Sequence, residues 1–150
     1  MGLQETIKFM DIRPYNPADR HACLTIFDLT ECRSPATREE FERFLEHPSG
    51  PYFVMEHDGS IIGCGGYTSG AAPGVASLVW GMIRDDVRGQ GLGRFLLMYR
   101  LREIAREPTI ERVVVEVPAG MAGFFEHQGF KPTVRREDRV ELVKRLAVCT

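Results

Sequence analysis

The sequence predicts a single α+β domain whose elements follow the order β-α-α-β-β-β-α-β-α-β-β. Its length of 150 residues suits one domain with one hydrophobic core. Short stretches of alternating or β-branched apolar residues, typical of strands, are separated from amphipathic stretches that begin with helix-capping residues. Apolar residues make up 43% of the chain and charged residues 27%, as in an ordinary soluble globular protein.

The N-terminal third predicts one strand followed by two helices. Residues 7–12 alternate apolar and polar side chains, which predicts a strand, and Arg13-Pro14 is expected to end it. Asn16 followed by proline predicts the N-cap and first position of a helix. Thr37, with a glutamate three residues later, predicts the capping box of a second helix.

The middle of the chain predicts three strands. Asp58-Gly59 is a strong hairpin signal between strands at residues 52–56 and 60–68. Three glycines between residues 63 and 66 either weaken the second of these strands or mark a bulge. After a loop, residues 75–84 are apolar enough to form a buried strand.

The C-terminal part predicts two helices and three strands. Residues 91–106 place apolar side chains at helical spacing, and Pro108 is expected to end this helix. Residues 112–117 are nearly all β-branched, as in a buried strand. A short helix is expected from Pro118 to a C′ glycine at Gly129, and the last two strands are expected at residues 130–136 and 139–147.

Charge and cysteine usage argue against several classes of function. The formal net charge is −2 and the charges are interspersed, so the sequence predicts no nucleic-acid partner. The four cysteines form no C-x-x-C pair and have no histidine cluster beside them, so no metal site is predicted. The absence of a signal-peptide pattern and of a membrane-length apolar run predicts a cytoplasmic protein with reduced thiols and no membrane partner.

The most informative stretch is the glycine-rich turn at residues 87–94, between a predicted strand and a predicted helix. Three alternating glycines leave backbone N–H groups uncovered at the positive end of a helix dipole, which suits a phosphate or pyrophosphate. Arg88 and Arg94 flank the turn with guanidinium groups suited to phosphate oxygens. The spacing fits neither the dinucleotide fingerprint nor the P-loop, since the third glycine comes one residue early and no Gly-Lys-Ser/Thr follows. A turn that only reverses the chain is the alternative.

Two stretches resemble motifs of the GNAT superfamily of N-acetyltransferases. Arg88-x-x-Gly91-x-Gly93 fits the family's Gln/Arg-x-x-Gly-x-Gly/Ala motif, and residues 122–130 resemble its short helix that ends in Gly-Phe. The order of elements matches the family over nearly the whole chain. The resemblance implies a three-layer α/β arrangement, with a mixed, mostly antiparallel central sheet and helices on both faces.

The resemblance also implies acetyl-CoA as cosubstrate, and no metal. Met82 and Ile83, at the end of the fourth strand, would pair with the pantetheine arm through backbone N–H and C=O groups. Family members splay the fourth and fifth strands apart, so the arm lies in that gap. An N–H near Met82 would then face the thioester oxygen as an oxyanion donor. The pyrophosphate would be held by the backbone amides of Arg88, Gly89, Gln90, Gly91, Leu92, Gly93 and Arg94.

Residues that commonly move protons in the family are missing here. In many members a tyrosine four residues before the glycine of Gly-Phe protonates the leaving thiolate, and Phe125 stands at that position. Many members also carry a carboxylate on the fourth strand, where the matching residue is Val79. The remaining candidate catalytic residues are Glu116 in the fifth strand and Tyr67 at the end of the third. Their alternatives are an arginine-paired or surface carboxylate and a core tyrosine.

Three functions remain open from the sequence. The first is an acyltransferase that moves an acetyl group from acetyl-CoA to a primary amine, mainly by positioning the two reactants. The second is a non-catalytic sensor or regulatory module that binds acetyl-CoA, and the third is a nucleotide-binding protein of another class. The acceptor would be a small-molecule or peptide amine, in a site shaped by the first two helices and the loop at residues 69–74. Self-association is common in the family, and a homodimer stays open because no sequence feature fixes the oligomeric state.

Overall fold

The computed structural model describes residues 10–30 and 37–146. Its centre is a seven-stranded sheet with the strand order β1-β2-β3-β4-β5-β7-β6. Neighbouring strands are antiparallel except β4 and β5, which are parallel, so the expected mixed and mostly antiparallel sheet is confirmed. The strands are β1 (Met10–Pro14), β2 (Tyr52–His57), β3 (Ser60–Ser69), β4 (Val75–Ile83), β5 (Arg112–Pro118), β6 (Lys131–Arg136) and β7 (Arg139–Arg145).

Four α-helices accompany the described strands: α1 (Arg20–Leu29), α2 (Arg38–Glu46), α3 (Leu92–Ile104) and α4 (Ala122–His127). Short 3₁₀ turns precede α1 and α4. Both predicted N-caps are confirmed, because the Asn16 side chain accepts from the N–H of Ala18 and the Thr37 hydroxyl accepts from the N–H of Glu40. At Thr37 the described contacts include this half of the predicted capping box and not the reciprocal bond from Glu40. Gly129 follows α4 with a φ of 91°, the left-handed conformation expected of a C′ glycine.

Helices cover both faces of the sheet. Cys23 and Phe27 of α1 and Phe41 of α2 pack against β2 and β3 through side chains such as Tyr52. On the other face, the apolar sides of α3 and α4 pack against β3, β4, β5 and β7. The side chains of that second layer include Leu97, Leu101, Ile104, Val113, Val115, Phe125 and Leu142. The arrangement is therefore the three-layer one that the resemblance implied.

The structure corrects several predicted boundaries. The first strand occupies Met10–Pro14 in the described part of the chain, and residues 7–9 lie outside it. Arg13 and Pro14 do not end the strand but belong to it, since Pro14 pairs with Phe53. A proline is tolerated there because β1 is an edge strand and needs donors on one side only. Helix α3 ends at Ile104 rather than at residue 106, and β7 ends at Arg145, while residues 147–150 are outside the described chain.

Two local predictions in the middle strands are confirmed. Asp58 and Gly59 have φ values of 52° and 79°, as the tight hairpin between β2 and β3 requires. The glycines of β3 coincide with irregular pairing, because the register shifts between Met55 and Glu56 and again between Cys64 and Gly66. No helix within residues 10–30 and 37–146 is long and apolar enough to cross a membrane.

Candidate functional site

The parallel pair β4 and β5 stays together over only a short length. Residues Val75, Ala76 and Ser77 pair with Arg112, Val113 and Val114, and the pairing stops there. Beyond this point β4 continues to Ile83 along β3, and β5 continues to Pro118 along β7. The two strands thus separate toward their carboxyl ends, which confirms the expected gap.

Strand β4 carries a bulge beside this gap. Cys64 pairs with Met82 and Gly66 pairs with Val79, so β4 has one more residue here than β3. Trp80, inside the bulge, has a φ of 48°, which is uncommon for a bulky residue. The hydroxyl of Tyr52 donates to the Trp80 carbonyl at 2.8 Å and ties the bulge to β2. Such a stored distortion is typical of functional sites.

The glycine-rich turn lies at the open end of the gap. A 3₁₀ turn at Asp85–Val87 leads into it from β4, and Gly91 is the N-cap of α3 with a φ of 77°. In the described chain, no backbone or side-chain acceptor pairs with the N–H groups of residues 89–94. These are the uncovered donors that a helix start leaves, extended by the loop before it. No atom lies within 4 Å of the position that a Cβ would take at Gly89, so side chains do not fill the bend there.

The two arginines of the turn make only weak contacts with the protein. Arg88 donates from Nε to the Ile83 carbonyl at 3.3 Å and lies 3.0 Å from the Asp85 carboxylate. Arg94 donates to the side chain of Gln128 at 3.3 Å. Both side chains are exposed, and exposed pairs of this kind contribute little to stability. They are therefore available to an anion at the turn.

Met82 and Ile83 are the last two residues of β4 before the turn. Met82 contacts the cluster beneath α1 and α2, whereas Ile83 contacts the α3 side. The Ile83 carbonyl is engaged by Arg88, so a ligand that pairs with it would first displace that side chain. The backbone of both residues borders the part of β4 that has no β5 partner.

Glu116 lies on β5 with its side chain 45% exposed. Its carboxylate pairs with Arg139 at 2.9 Å, and the same guanidinium donates to the Glu116 carbonyl. The neighbouring residues Val115 and Val117 point to the core under α3 and α4, so Glu116 lies on the opposite face of the sheet. This is the arginine-paired arrangement that the sequence analysis kept as the alternative to a catalytic role.

Tyr67 is buried in the core on the α3 side of the sheet. Its hydroxyl donates to the Glu107 carboxylate at 2.7 Å, just beyond the end of α3. Burial, followed by the hydrogen bond to Glu107, raises the pKa of Tyr67 well above its usual range, so the hydroxyl stays protonated at neutral pH. The structure therefore does not bring Tyr67 and Glu116 together, because they lie on opposite faces of the sheet.

Phe125 is 6% exposed and packs edge-to-face against Phe124 and Phe130, at ring-centroid distances of 5.1 and 5.4 Å. It therefore serves the core. His127, on the same helix, is exposed. Cys23 and Cys64 are free, fully buried thiols.

Sequence reasoning missed two features beside the gap. One is the bulge at Trp80 with its positive φ, where the indole packs against aromatic rings of α1 and α2, with its centroid 4.8 Å from that of Phe41. The second is Arg100, a charged residue that is buried in α3 among apolar residues. Its spacing of three or four residues from Leu96, Leu97 and Ile104 was a signal that it shares their buried side.

A comparison with known protein families identifies the family to which this chain belongs. Residues 19–130 match the model of the acetyltransferase (GNAT) family. The match covers well over half of the chain, which therefore belongs to the GNAT acetyltransferase family.

One curated relative is distant in sequence. The uncharacterized N-acetyltransferase YjgM from Escherichia coli (strain K12) is 26% identical over 98 residues, which cover 62% of this chain and 58% of that protein. The chain thus spans less than two thirds of the length of this curated relative.

Two solved structures show the same fold. The ribosomal-protein-S18-alanine N-acetyltransferase from Escherichia coli superimposes with a TM-score of 0.79 at 18% identity, covering 94% of this chain and 96% of its own. The N-acetylglutamate synthase from Neisseria gonorrhoeae, complexed with coenzyme A and L-arginine, gives a TM-score of 0.72 at 21% identity. That match covers 92% of this chain and 33% of the synthase chain.

Proposed function

We propose that this chain transfers an acetyl group from acetyl-CoA to a primary amine of a small molecule or peptide. One observation carries the proposal: consecutive N–H groups of residues 89–94 have no acceptor in the described chain, and they lie at the mouth of a gap between two strands. A diphosphate fits this position because oriented backbone donors and a helix N-terminus both favour negative charge. Membership of an acetyltransferase family supports the same ligand.

The residues proposed to hold the donor form a continuous path. The amides from Arg88 to Arg94 would bind the diphosphate, with the two arginine side chains adding charge. Met82 and Ile83 would pair with the pantetheine arm along the unpaired edge of β4. An N–H near Met82 would donate to the thioester oxygen, where such a donor counts most as negative charge develops.

The acceptor amine must lose a proton before it attacks. For a lysine-like amine, deprotonation at neutral pH costs about 3.4 pKa units, or roughly 4–5 kcal/mol, whereas an α-amino group costs only about 1 unit. Glu116 and Tyr67 remain the proposed residues for proton transfer, and each must first release a partner, Arg139 or Glu107. A water molecule that carries the proton from a well-positioned amine needs no such release.

The acceptor site is proposed on the side of α1 and α2. Their aromatic residues surround Trp80, which lies within the bulge of β4 next to the gap. The loop at residues 69–74, expected as another wall, does not adjoin this gap, because it leads into the paired end of β4 and lies beside Glu107 and Thr109, beyond the end of α3. Surface glutamates of α2, among them Glu39 and Glu40, give this side a negative charge that would attract a cationic amine.

The test has two parts. Calorimetry with acetyl-CoA measures binding, and free-thiol release with a panel of amino acids, polyamines and peptide N-termini measures transfer. Binding together with thiol release from at least one amine supports the proposal. Failure to bind acetyl-CoA would overturn it.

A second candidate function is a non-catalytic acetyl-CoA sensor. The observation that favours it is Phe125, which cannot donate a proton to the leaving thiolate. Tight acetyl-CoA binding without thiol release from any amine would favour the sensor over the enzyme.

A further inference from the structure

Arg100 is a buried cation in an otherwise apolar helix face. The other buried residues of α3 are Leu92, Leu96, Leu97, Leu101 and Ile104, whereas Arg100 is 5% exposed. In the described chain the ionisable groups that interact with it are those of Tyr52 and Cys64, and no carboxylate pairs with it. A buried arginine without a carboxylate is costly, so its position calls for a reason.

Its guanidinium is only partly satisfied. Nη1 donates to the Gly66 carbonyl at 3.3 Å. Nε is enclosed and has no acceptor among the described residues. Nη2 has no acceptor there either. Two of the three nitrogens of the cation therefore have no partner among the described residues.

The position of the guanidinium is set by two glycines. A Cβ at Gly81 would lie 3.0 Å from Nη2 and 3.1 Å from Nη1, and one at Gly65 would lie 3.3 Å from Cζ. The absence of side chains at these positions lets Arg100 lie directly beneath the bulge of β4. Gly81 is exposed and belongs to the length of β4 that has no β5 partner. The cation therefore borders the gap, because it lies beneath Gly81, the residue next to Met82 in β4.

The charge persists at neutral pH. Burial lowers the pKa of Arg100 to about 10, while Tyr52 and Cys64 act in the opposite direction. The side chain therefore remains protonated where acyl transfer would take place. An unpaired cation in a site of low dielectric favours any negative charge that develops beside it.

We propose that Arg100 stabilises the negative charge that forms in acyl transfer, first on the thioester oxygen and then on the sulfur of coenzyme A. The inference rests on the proposed function. The amine nitrogen forms a bond to the acetyl carbon, the C–S bond breaks, and its electron pair leaves on sulfur. The amine's proton passes to water. Since Phe125 has no proton to donate, sulfur departs as a thiolate, and a nearby cation lowers the energy of that anion.

The same cation could instead bind a carboxylate at the end of a longer acyl chain. A carboxylate is best held by two N–H groups of a guanidinium. Here Nη1 gives one N–H to Gly66 and keeps a second, and Nη2 has two, so the donors of the guanidinium alone do not separate the two roles. A comparison of acetyl-CoA with an acyl-CoA that ends in a carboxylate separates them.

The test measures the thiol of bound coenzyme A, so it needs no knowledge of the acceptor. Thiolate absorbance is recorded against pH for the protein with coenzyme A, with the desulfo-CoA complex as reference to subtract the protein's own thiols. The variants are R100M, which removes the charge, R100Q, which keeps a donor for the Gly66 carbonyl, and R100K, which keeps the charge. R102M is the control, because Arg102 is exposed on the same helix.

The proposal expects the thiolate-to-thiol ratio of bound coenzyme A at a given pH to fall about tenfold or more in R100M and R100Q. R100K and R102M should keep most of the native ratio, and the dissociation constant of acetyl-CoA should change little in all four. An unchanged ratio in folded R100M or R100Q would overturn the proposal. So would tighter binding of succinyl-CoA than acetyl-CoA that is lost in R100M, since that would assign the cation to an acyl carboxylate. If the native protein binds no coenzyme A, the proposed function itself fails.

Discussion

The hydroxyl of Tyr52 donates to the carbonyl of Trp80 across two strands of the sheet, at 2.8 Å. Trp80 has a positive φ, so the bulge of β4 holds a conformation that its side chain does not favour. Tyr52 is 4% exposed, and its ring is packed by Phe41, Phe44 and Tyr15. The bulge is therefore held by a tyrosine whose own ring is fixed by the packing around it.

This relationship predicts that Y52F lowers stability. The substitution keeps the ring and leaves the carbonyl of Trp80 without its donor, which costs about 1–3 kcal/mol in the free energy of unfolding. Urea denaturation measures the effect. Y15F is the matched control, because the Tyr15 hydroxyl is buried without a partner in the described chain, and its removal should be neutral or stabilising. Equal losses in the two variants would contradict the prediction.

Local chemistry explains which parts of the fold the sequence could predict. Asn16, Thr37, Asp58-Gly59 and Gly129 each act on neighbouring residues, and the structure confirms all four. The prediction for the end of β1 was wrong, because a proline is expected to end a strand unless the strand is known to lie at the edge of the sheet. That position depends on pairing with β2, some forty residues away in the sequence.

The candidate site also has parts that the sequence could predict and parts that it could not. The turn at residues 87–94 could be found because its glycines are adjacent in sequence. The bulge at Trp80 depends on how β3 and β4 pair, and the burial of Arg100 depends on room left by Gly65 and Gly81 on two other strands. No pattern of neighbouring residues contains the information on strand pairing. The hydrophobic spacing of α3 indicated only that Arg100 lies on its buried side.

The pair of Asp19 and Arg13 predicts a pH-dependent stability. Arg13 donates two hydrogen bonds of 2.8 Å to Asp19, and these, more than the N–H of Asn16, lower the pKa of this buried carboxyl. A carboxyl with a lowered folded pKa stabilises the protein above its unfolded pKa near 3.9, and this contribution is lost as the pH falls through the folded value.

We expect D19N to lower the free energy of unfolding by about 1.5–3 kcal/mol at pH 7, as for lost hydrogen bonds to a charged group. The difference from the native protein should shrink below about pH 4, where the native carboxyl begins to take up its proton. Urea midpoints measured from pH 3 to 7 test this. D86N is the control, since Asp86 also pairs with an arginine, Arg84, but is exposed, so its pair should contribute little at any pH. A difference that is constant with pH would contradict the assignment.

The glycine-rich turn predicts a binding defect in G89D. A carboxylate there would repel the diphosphate, so acetyl-CoA should bind at least about tenfold more weakly by calorimetry. G59D is a close control, because Gly59 has nearly the same φ (79° against 81° for Gly89) and also has open space around it. Any strain from a side chain in the left-handed region is then matched. Native affinity in folded G89D would count against the turn as the diphosphate site.

The core position of Phe125 predicts the effect of restoring an acid. F125Y places a hydroxyl on α4 where the family commonly has one, and general acid catalysis is worth about a hundredfold or more when the group is well placed. We expect thiol release to rise several-fold, because the Arg100 cation already stabilises the thiolate. The rise should be larger in an R100M background, since the acid and the cation serve the same leaving group. Equal gains from F125Y with and without Arg100 would show that the two groups act independently.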